Sequence, residues 1–344
     1  MAYTAIDDAE AYFQAKTYTG DGSTPSITFD GDTDMQPDLV WYKSRSNAYS
    51  HGLFDVLRGA SEQLYAASTA TEATYSGVSS FDSDGFTLGS DAGGNENSAT
   101  YVAWCWKANG AGSSNTDGSI TSTVSANTTA GFSIVKWTGD DSTATIGHGL
   151  GAVPKMIITK RYDASGNWFT YRHSLGNTKY ILLEATDAEA TSSNAWDDTS
   201  PTSSVFTKAS ANNIDTGTYI AYCFAEKQGY SKIGSYTGNG NADGTFIYTG
   251  FRPAWIMTKK TSTTSPWHIY DNKRSASGFN VIGGKLTADA TDAETVGTEC
   301  DFVSNGVKIR ASGSDVNGSG ASFVYAAFAE APLVNSNGVP CNAR

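Results

Sequence analysis

Cysteine, histidine and basic residues are scarce in this 344-residue chain, and each shortage closes off a class of function. Four cysteines are too few for a disulfide scaffold of this length, and no Cys/His spacing matches a metal site. The four histidines, His51, His148, His173 and His268, form no recognisable Ser-His-Asp set. Twenty-three Lys and Arg against 35 Asp and Glu give a net charge of -12, with no basic cluster. That balance argues against a nucleic-acid partner, which calls for a basic stripe, and against docking on an anionic membrane. No window approaches the roughly 18 apolar residues of a membrane span, so no membrane insertion is expected. The first ten residues are acidic and lack an apolar core. They are not a secretory signal, so synthesis in the cytoplasm is expected. No motif calls for a cofactor.

What the chain has in quantity is aromatic residues (8 Trp, 18 Tyr, 15 Phe) and 36 glycines, against only 17% charged residues. That texture is all-β, with short strands and many turns. One stretch occurs three times: Pro37 to Lys43, Pro154 to Lys160 and Pro253 to Lys259, each a proline, a β-forming apolar run and a lysine six positions on. Thr19-Gly20, Thr138-Gly139 and Thr237-Gly238 precede these stretches, and Phe54, Tyr171 and Tyr270 each follow their proline by the same interval. Closing strands are expected at Tyr101–Trp106, Tyr219–Phe224 and Ala321–Ala329. Cys105, Cys223 and Ala327 share one position there, which reads as a small buried slot. Asp84-Gly85 and Asn305-Gly306 are read as matching hairpin turns.

The expected architecture is three tandem β-sandwich modules, jelly-roll or lectin-like, at 11–108, 131–228 and 229–332. A leader (1–10), a flexible Gly/Ser/Thr linker (109–130) and a loose tail (333–344) complete the chain. The leader either caps a helical turn or docks on a partner. The proline and closing strands are apolar on both faces, so one face is expected in the module core and the other either against a neighbouring module or subunit or on a central, well-covered strand. Modules two and three, with almost no linker between them, are expected to pack together, while module one moves on its tether unless the linker docks.

Several polar groups invite a chemical reading. Asp55 and Arg58 are echoed by Asp271 and Arg274, but the second module holds Arg172 and Leu175 there, which fits a local ion pair fixing a turn. His148, in Gly147-His-Gly-Leu-Gly151, reads as a turn histidine. His268 and Trp267 neighbour Tyr270 at strand spacing, which reads as packing. Asp82-Ser-Asp84-Gly85 lacks the later ligands of a calcium loop. Thr69-Ala-Thr-Glu72, Thr186-Asp-Ala-Glu189 and Thr291-Asp-Ala-Glu294 recur as solvated loops or helix caps; as paired carboxylates, Glu189 and Glu294 are the candidates for glycoside hydrolysis. Among the aromatics, Tyr49, Tyr75, Tyr162 and Trp196 fall in loops and are the candidates for surface binding.

The stretches Tyr12-Phe-Gln-Ala-Lys-Thr-Tyr-Thr-Gly20, Met35-Gln-Pro-Asp-Leu-Val-Trp41, Phe54-Asp-Val-Leu-Arg-Gly59, Ser80-Phe-Asp-Ser-Asp-Gly-Phe86 and Tyr101-Val-Ala-Trp-Cys-Trp-Lys107 together resemble a repeat module of virion proteins of marine and freshwater bacteriophages. Ile146 to Pro154 is similar as well, and the likeness spans about 11–332; Tyr248 to Pro253 of the third module departs most. The resemblance implies a β-sandwich virion part and brings no catalytic residues. The expected function is a phage structural protein, a tail fibre or receptor-binding adhesin, that recognises a host surface glycan or protein and contacts other virion proteins. A capsid decoration or head-fibre protein is the alternative, and a polysaccharide depolymerase the other class. A homotrimer is one expected assembly; a threefold-like cluster within one chain is the other.

Overall fold

Strand pairing follows the repeat. The computed structural model describes residues 2–209, 216–274 and 280–341, and its regular structure is almost wholly antiparallel strand. In each repeat five strands share one order across a sheet. The opening strand (Phe13–Thr19, Phe132–Thr138 or Ser231–Thr237) pairs with the closing strand (Thr100–Trp106, Thr218–Phe224 or Ser322–Pro332). The closing strand pairs with the proline strand (Leu39–Ser44, Met156–Arg161 or Phe251–Lys260). An aromatic strand (Gly52–Asp55, Trp168–Arg172 or Trp267–Asp271) and a return strand (Gly59–Tyr65, Lys179–Leu182 or Val281–Thr287) follow. Smaller strand sets lie apart from the first two sheets: Ser26–Ile27, Gly85–Leu88 and Val78–Asp82 in the first repeat, Ala144–Gly147 and Val205–Lys208 in the second. The third repeat differs. Its return strand bonds onward to Thr295–Val303, then Gly306–Ile309 and Phe246–Tyr248, so one continuous eight-stranded sheet curls close to a barrel. The expected strand at Phe279–Ile282 begins at Val281 within the described residues; Phe279 lies outside them.

Both faces of the proline and closing strands are buried, as their composition implies. Alternation sends Val40, Tyr42, Tyr101, Ala103 and Cys105 into a core of the first repeat. It sends Leu39, Trp41, Val102, Trp104 and Trp106 into a core common to all three repeats. At the centre stand equivalent residues of the three closing strands. The rings of Trp106, Phe224 and Phe328 form a triangle, 6.3, 5.7 and 5.6 Å on a side. Leu39, Met156 and Trp255, again equivalent, line an apolar void of about 10 Å³ beside it. An apolar space of that size stays dry. The first repeat is therefore not tethered loosely. Burying aromatic rings of this size stabilises by roughly 1.5–3 kcal/mol each, which a swinging repeat would forgo.

The linker docks rather than flexing. Ser113–Asn115 and Ser122–Asn127 extend the second sheet beside its opening strand, and the Ala108 amide donates to Asp38 Oδ2 at 2.7 Å. The leader docks within the chain too: Ile6 and Ala9 enter the common core, and Tyr3 donates to the Gly250 carbonyl at 2.6 Å. The tail is held through Ser336, whose amide donates to Asp7 Oδ1 at 2.6 Å. The matching hairpins exist, shifted by one residue. Asp82 pairs with Gly85 and Val303 with Gly306, so each glycine begins a strand instead of filling the turn. Its purpose is close approach: a Cβ would lie 2.0 Å from the Ile27 carbonyl at Gly85 and 2.2 Å from the Ile247 carbonyl at Gly306.

The repeats close into a ring through three equivalent seams. The Glu72 amide donates to the Tyr162 carbonyl at 2.8 Å, the Glu189 amide to Thr261 at 3.0 Å and the Glu294 amide to Arg45 at 2.8 Å. Trp168 Nε1 reaches Tyr65 at 3.0 Å, Trp267 Nε1 reaches Leu182 at 2.8 Å, and at the third seam His51 Nε2 donates to Thr287 at 2.9 Å. The repeated Thr-x-x-Glu stretches are thus seam segments and not solvated loops. The repeat lysines sit beside them: Lys160 donates to the Thr69 carbonyl at 3.0 Å and Lys259 to Thr186 at 3.2 Å. Lys43, Lys160 and Lys259 are each at most 1% exposed, and burial pulls all three ammonium groups down to about 8.

Candidate functional site

The Asp-Arg pairs turn out to be seam hardware. Asp55 and Arg58 form an ion pair at 2.6 Å, as do Asp271 and Arg274. Each aspartate also accepts from the next repeat's closing strand, Asp55 from the Tyr222 hydroxyl at 2.9 Å and Asp271 from Trp104 Nε1 at 2.8 Å. The equivalent closing position in the third repeat is Ala326, which has no donor. The second repeat accordingly carries Arg172, which donates to the Tyr325 carbonyl at 3.2 Å. Its guanidinium also lies 5.4 Å from the Trp267 ring, and burial pulls it down to about 9. At each seam the residue type matches its partner: aspartate where the closing strand offers a side-chain donor, arginine where it offers a backbone carbonyl.

The hydrolytic candidates are held in the same seams. Glu189 pairs with Lys179. Glu294 is gripped by Arg45 at 2.9 Å and Arg274 at 2.9 Å. Burial alone would push the Glu294 carboxyl up, but the Arg45 hydrogen bonds and the Arg274 charge hold it below the usual range. His148 is a buried turn histidine whose Nδ1 accepts from the Leu150 amide at 3.2 Å. Asp82 accepts from Ser80 and Thr87 within its hairpin, both at 2.7 Å.

The loop aromatics differ in burial. Tyr75 is 46% exposed, while Tyr49 and Tyr162 are half-buried, Tyr162 at the seam of the first two repeats. Trp196 corrects the expectation of a surface ring. It is 2% exposed, on the short helix Ser193–Trp196, with its ring 5.6 Å from that of Tyr171 and its Nε1 donating to the Lys179 carbonyl at 3.2 Å. A large indole gains more from that slot than from solvent.

The feature that stands apart lies at the mouth of the third repeat's near-barrel. A cavity of about 350 Å³ opens between the aromatic strand, the return strand and Thr295–Val303, at the small end of ligand sites. Position 52/169/268 explains why it is open. In the first repeat Gly52 lies under the Tyr42 ring, whose Cζ would stand 2.7 Å from an added Cβ. In the second, Phe169 fills the space, 5.1 Å from the Tyr180 ring. In the third the residue is His268, and the strand opposite offers only Thr258.

His268 is 3% exposed and lines the cavity, yet neither ring nitrogen has a hydrogen-bond partner. Burial first, and the Lys285 charge second, lower it to about 4, so the ring is neutral near neutral pH. Facing it is a braced group: Lys285 Nζ lies 2.7 Å from Glu299 Oε1, and the Tyr270 hydroxyl donates to Glu299 Oε2. Burial pushes the Tyr270 phenol well up, so it stays a donor. The third repeat's longer spacing carried the signal for this site. Thr291 lies further beyond Pro253 than Thr69 and Thr186 lie beyond their prolines.

A family model described as Domain of unknown function (DUF7483) matches residues 8–332. No curated protein matches the chain. Among the described residues no helix is long and apolar enough to cross a membrane.

Proposed function

We propose that this chain, which belongs to the DUF7483 family, is a bacteriophage virion protein of the tail-fibre or adhesin kind. In this reading it consists of three modules, the first two of β-sandwich kind and the third closed to a near-barrel, and recognises the host cell surface through the mouth of the third. One observation carries the proposal: the space that Tyr42 and Phe169 fill in two repeats is left open in the third, around a buried histidine with two free nitrogens. What singles this cavity out is that buried histidine, since the cavity of about 390 Å³ beside Lys179 and Glu189 has its carboxylate already paired. Three seams closed within a single chain also supply the threefold arrangement that a fibre otherwise draws from three subunits, which supports a chain that acts without trimerising. The near-barrel mouth, a common place for ligand sites, replaces the loop aromatics as the binding surface.

The test is binding of fluorescently labelled full-length chain to marine and freshwater bacterial isolates, together with gold labelling of virions. Saturable binding to host cells and label at the tail support the reading. Label on the capsid with no cell binding refutes it in favour of decoration.

A further inference from the structure

We propose, resting on that reading of the site, that the mouth of the third repeat takes a neutral saccharide, held between His268 and Glu299, and turns acidic sugars away. Its polar lining is matched to hydroxyl groups. A neutral imidazole offers one donor and one acceptor, and a sugar hydroxyl is both at once. With neither His268 nitrogen satisfied by the protein, a buried polar group of this kind costs stability until a ligand pairs it. Glu299, already fixed by Lys285 and Tyr270, presents acceptor lone pairs to hydroxyl protons on the opposite side.

The charge count sets the sign of selectivity. Asp292, Glu299 and Asp315 line the cavity against one cation, Lys285, which is itself paired. A uronate or sialate carboxylate entering there meets net negative charge without a free ammonium, so repulsion disfavours it. Room for a ring comes from Gly283 and Gly297, which keep the strand surface bare, and the apolar floor from Ile282. Gly297 provides a clean way to test this. An added Cβ there would meet nothing nearer than the Glu299 Cγ at 3.8 Å, so Gly297→Leu fills the cavity without displacing backbone. His268→Phe supplies a second plug that the fold already accepts, since the second repeat carries Phe169 at that position.

Saturation-transfer NMR and calorimetry on the full chain would use galactose, glucose, N-acetylglucosamine and their disaccharides, against glucuronic and N-acetylneuraminic acids. Binding of at least one neutral saccharide is expected, weakened tenfold or more by each variant, with the acids at least tenfold weaker in the wild type. The inference is overturned if the acids bind more tightly, if no neutral saccharide binds, or if both variants bind like the wild type. Labelled Gly297→Leu on host cells separates the two levels. Loss of cell binding with no saccharide signal keeps the site and removes the sugar, whereas undiminished cell binding removes the site itself.

Discussion

Removing one seam carboxylate should cost far more than its size implies. In Asp271→Ala the fully buried Asp271 would no longer accept from Arg274 Nε at 2.6 Å, Trp104 Nε1 at 2.8 Å or the Lys273 and Arg274 amides at 3.1 and 3.0 Å. Breaking a buried pair by deleting one partner costs about 3–5 kcal/mol. The indole N–H left unpartnered adds about 1–3 kcal/mol, though the two are not additive because Arg274 keeps Glu294 and the Ile269 carbonyl. A loss of about 4 kcal/mol is a large part of the roughly 5–15 kcal/mol that holds a protein folded. The assay is urea unfolding followed by tryptophan fluorescence and far-ultraviolet circular dichroism. One coincident transition, moved to lower urea, is expected, because the seam joins the third repeat to the first and all three share a core. The triple variant Asp271→Ala, Arg274→Leu, Trp104→Phe removes the orphaned partners as well and should recover at least about 1 kcal/mol. A loss under about 1 kcal/mol for Asp271→Ala, or two separated transitions in the wild type, would refute the reasoning.

Three further outcomes are expected. The repeat lysines release their protons near pH 8 when folded and near 10.4 when unfolded; the unfolded chain therefore binds more protons in that window, and their contribution makes stability rise from pH 8 to 10. Lys160→Met should flatten that slope in urea titrations, and an unchanged slope would count against it. His51, lowered to about 3 chiefly by burial, accepts from Trp41 Nε1 at 2.8 Å and donates across the seam. Since only the unfolded chain gains its proton between pH 6.5 and 3, stability falls with acid there, and the double variant Trp41→Met, His51→Trp, which copies the third repeat, should lose part of that fall. Tyr42→Thr, which copies Thr159 and Thr258, should cost about 3–5 kcal/mol by emptying the space over Gly52, measured by thermal unfolding.

The strands were legible because each repeat spells the same apolar runs after a proline and at its close, and three copies remove accidental matches. Cys105, Cys223 and Ala327 showed their slot for the same reason: all are fully buried. The second apolar face was expected against a neighbouring module or subunit; what sequence could not show was that all three such faces meet at one centre. Leu39, Met156 and Trp255 share no residue type, and only the closed ring places them around one void. The seam logic was hidden because each partner is remote in the chain: Asp55 makes sense beside the Tyr222 hydroxyl and Arg172 beside the Tyr325 carbonyl. The linker's Ser and Thr content reads as flexible until Ser122–Asn127 finds a sheet edge. His268 was read as packing because its strand neighbours are aromatic. Its isolation depends on what repeats one and two place opposite and the third does not.

The most direct test of the account is competition for phage adsorption. Purified wild-type chain is predicted to block adsorption of its phage to host cells, and Gly297→Leu, equally folded by circular dichroism, is predicted to leave adsorption intact. Equal blocking by both proteins, or blocking by neither, would contradict the assignment of host recognition to the mouth of the third repeat.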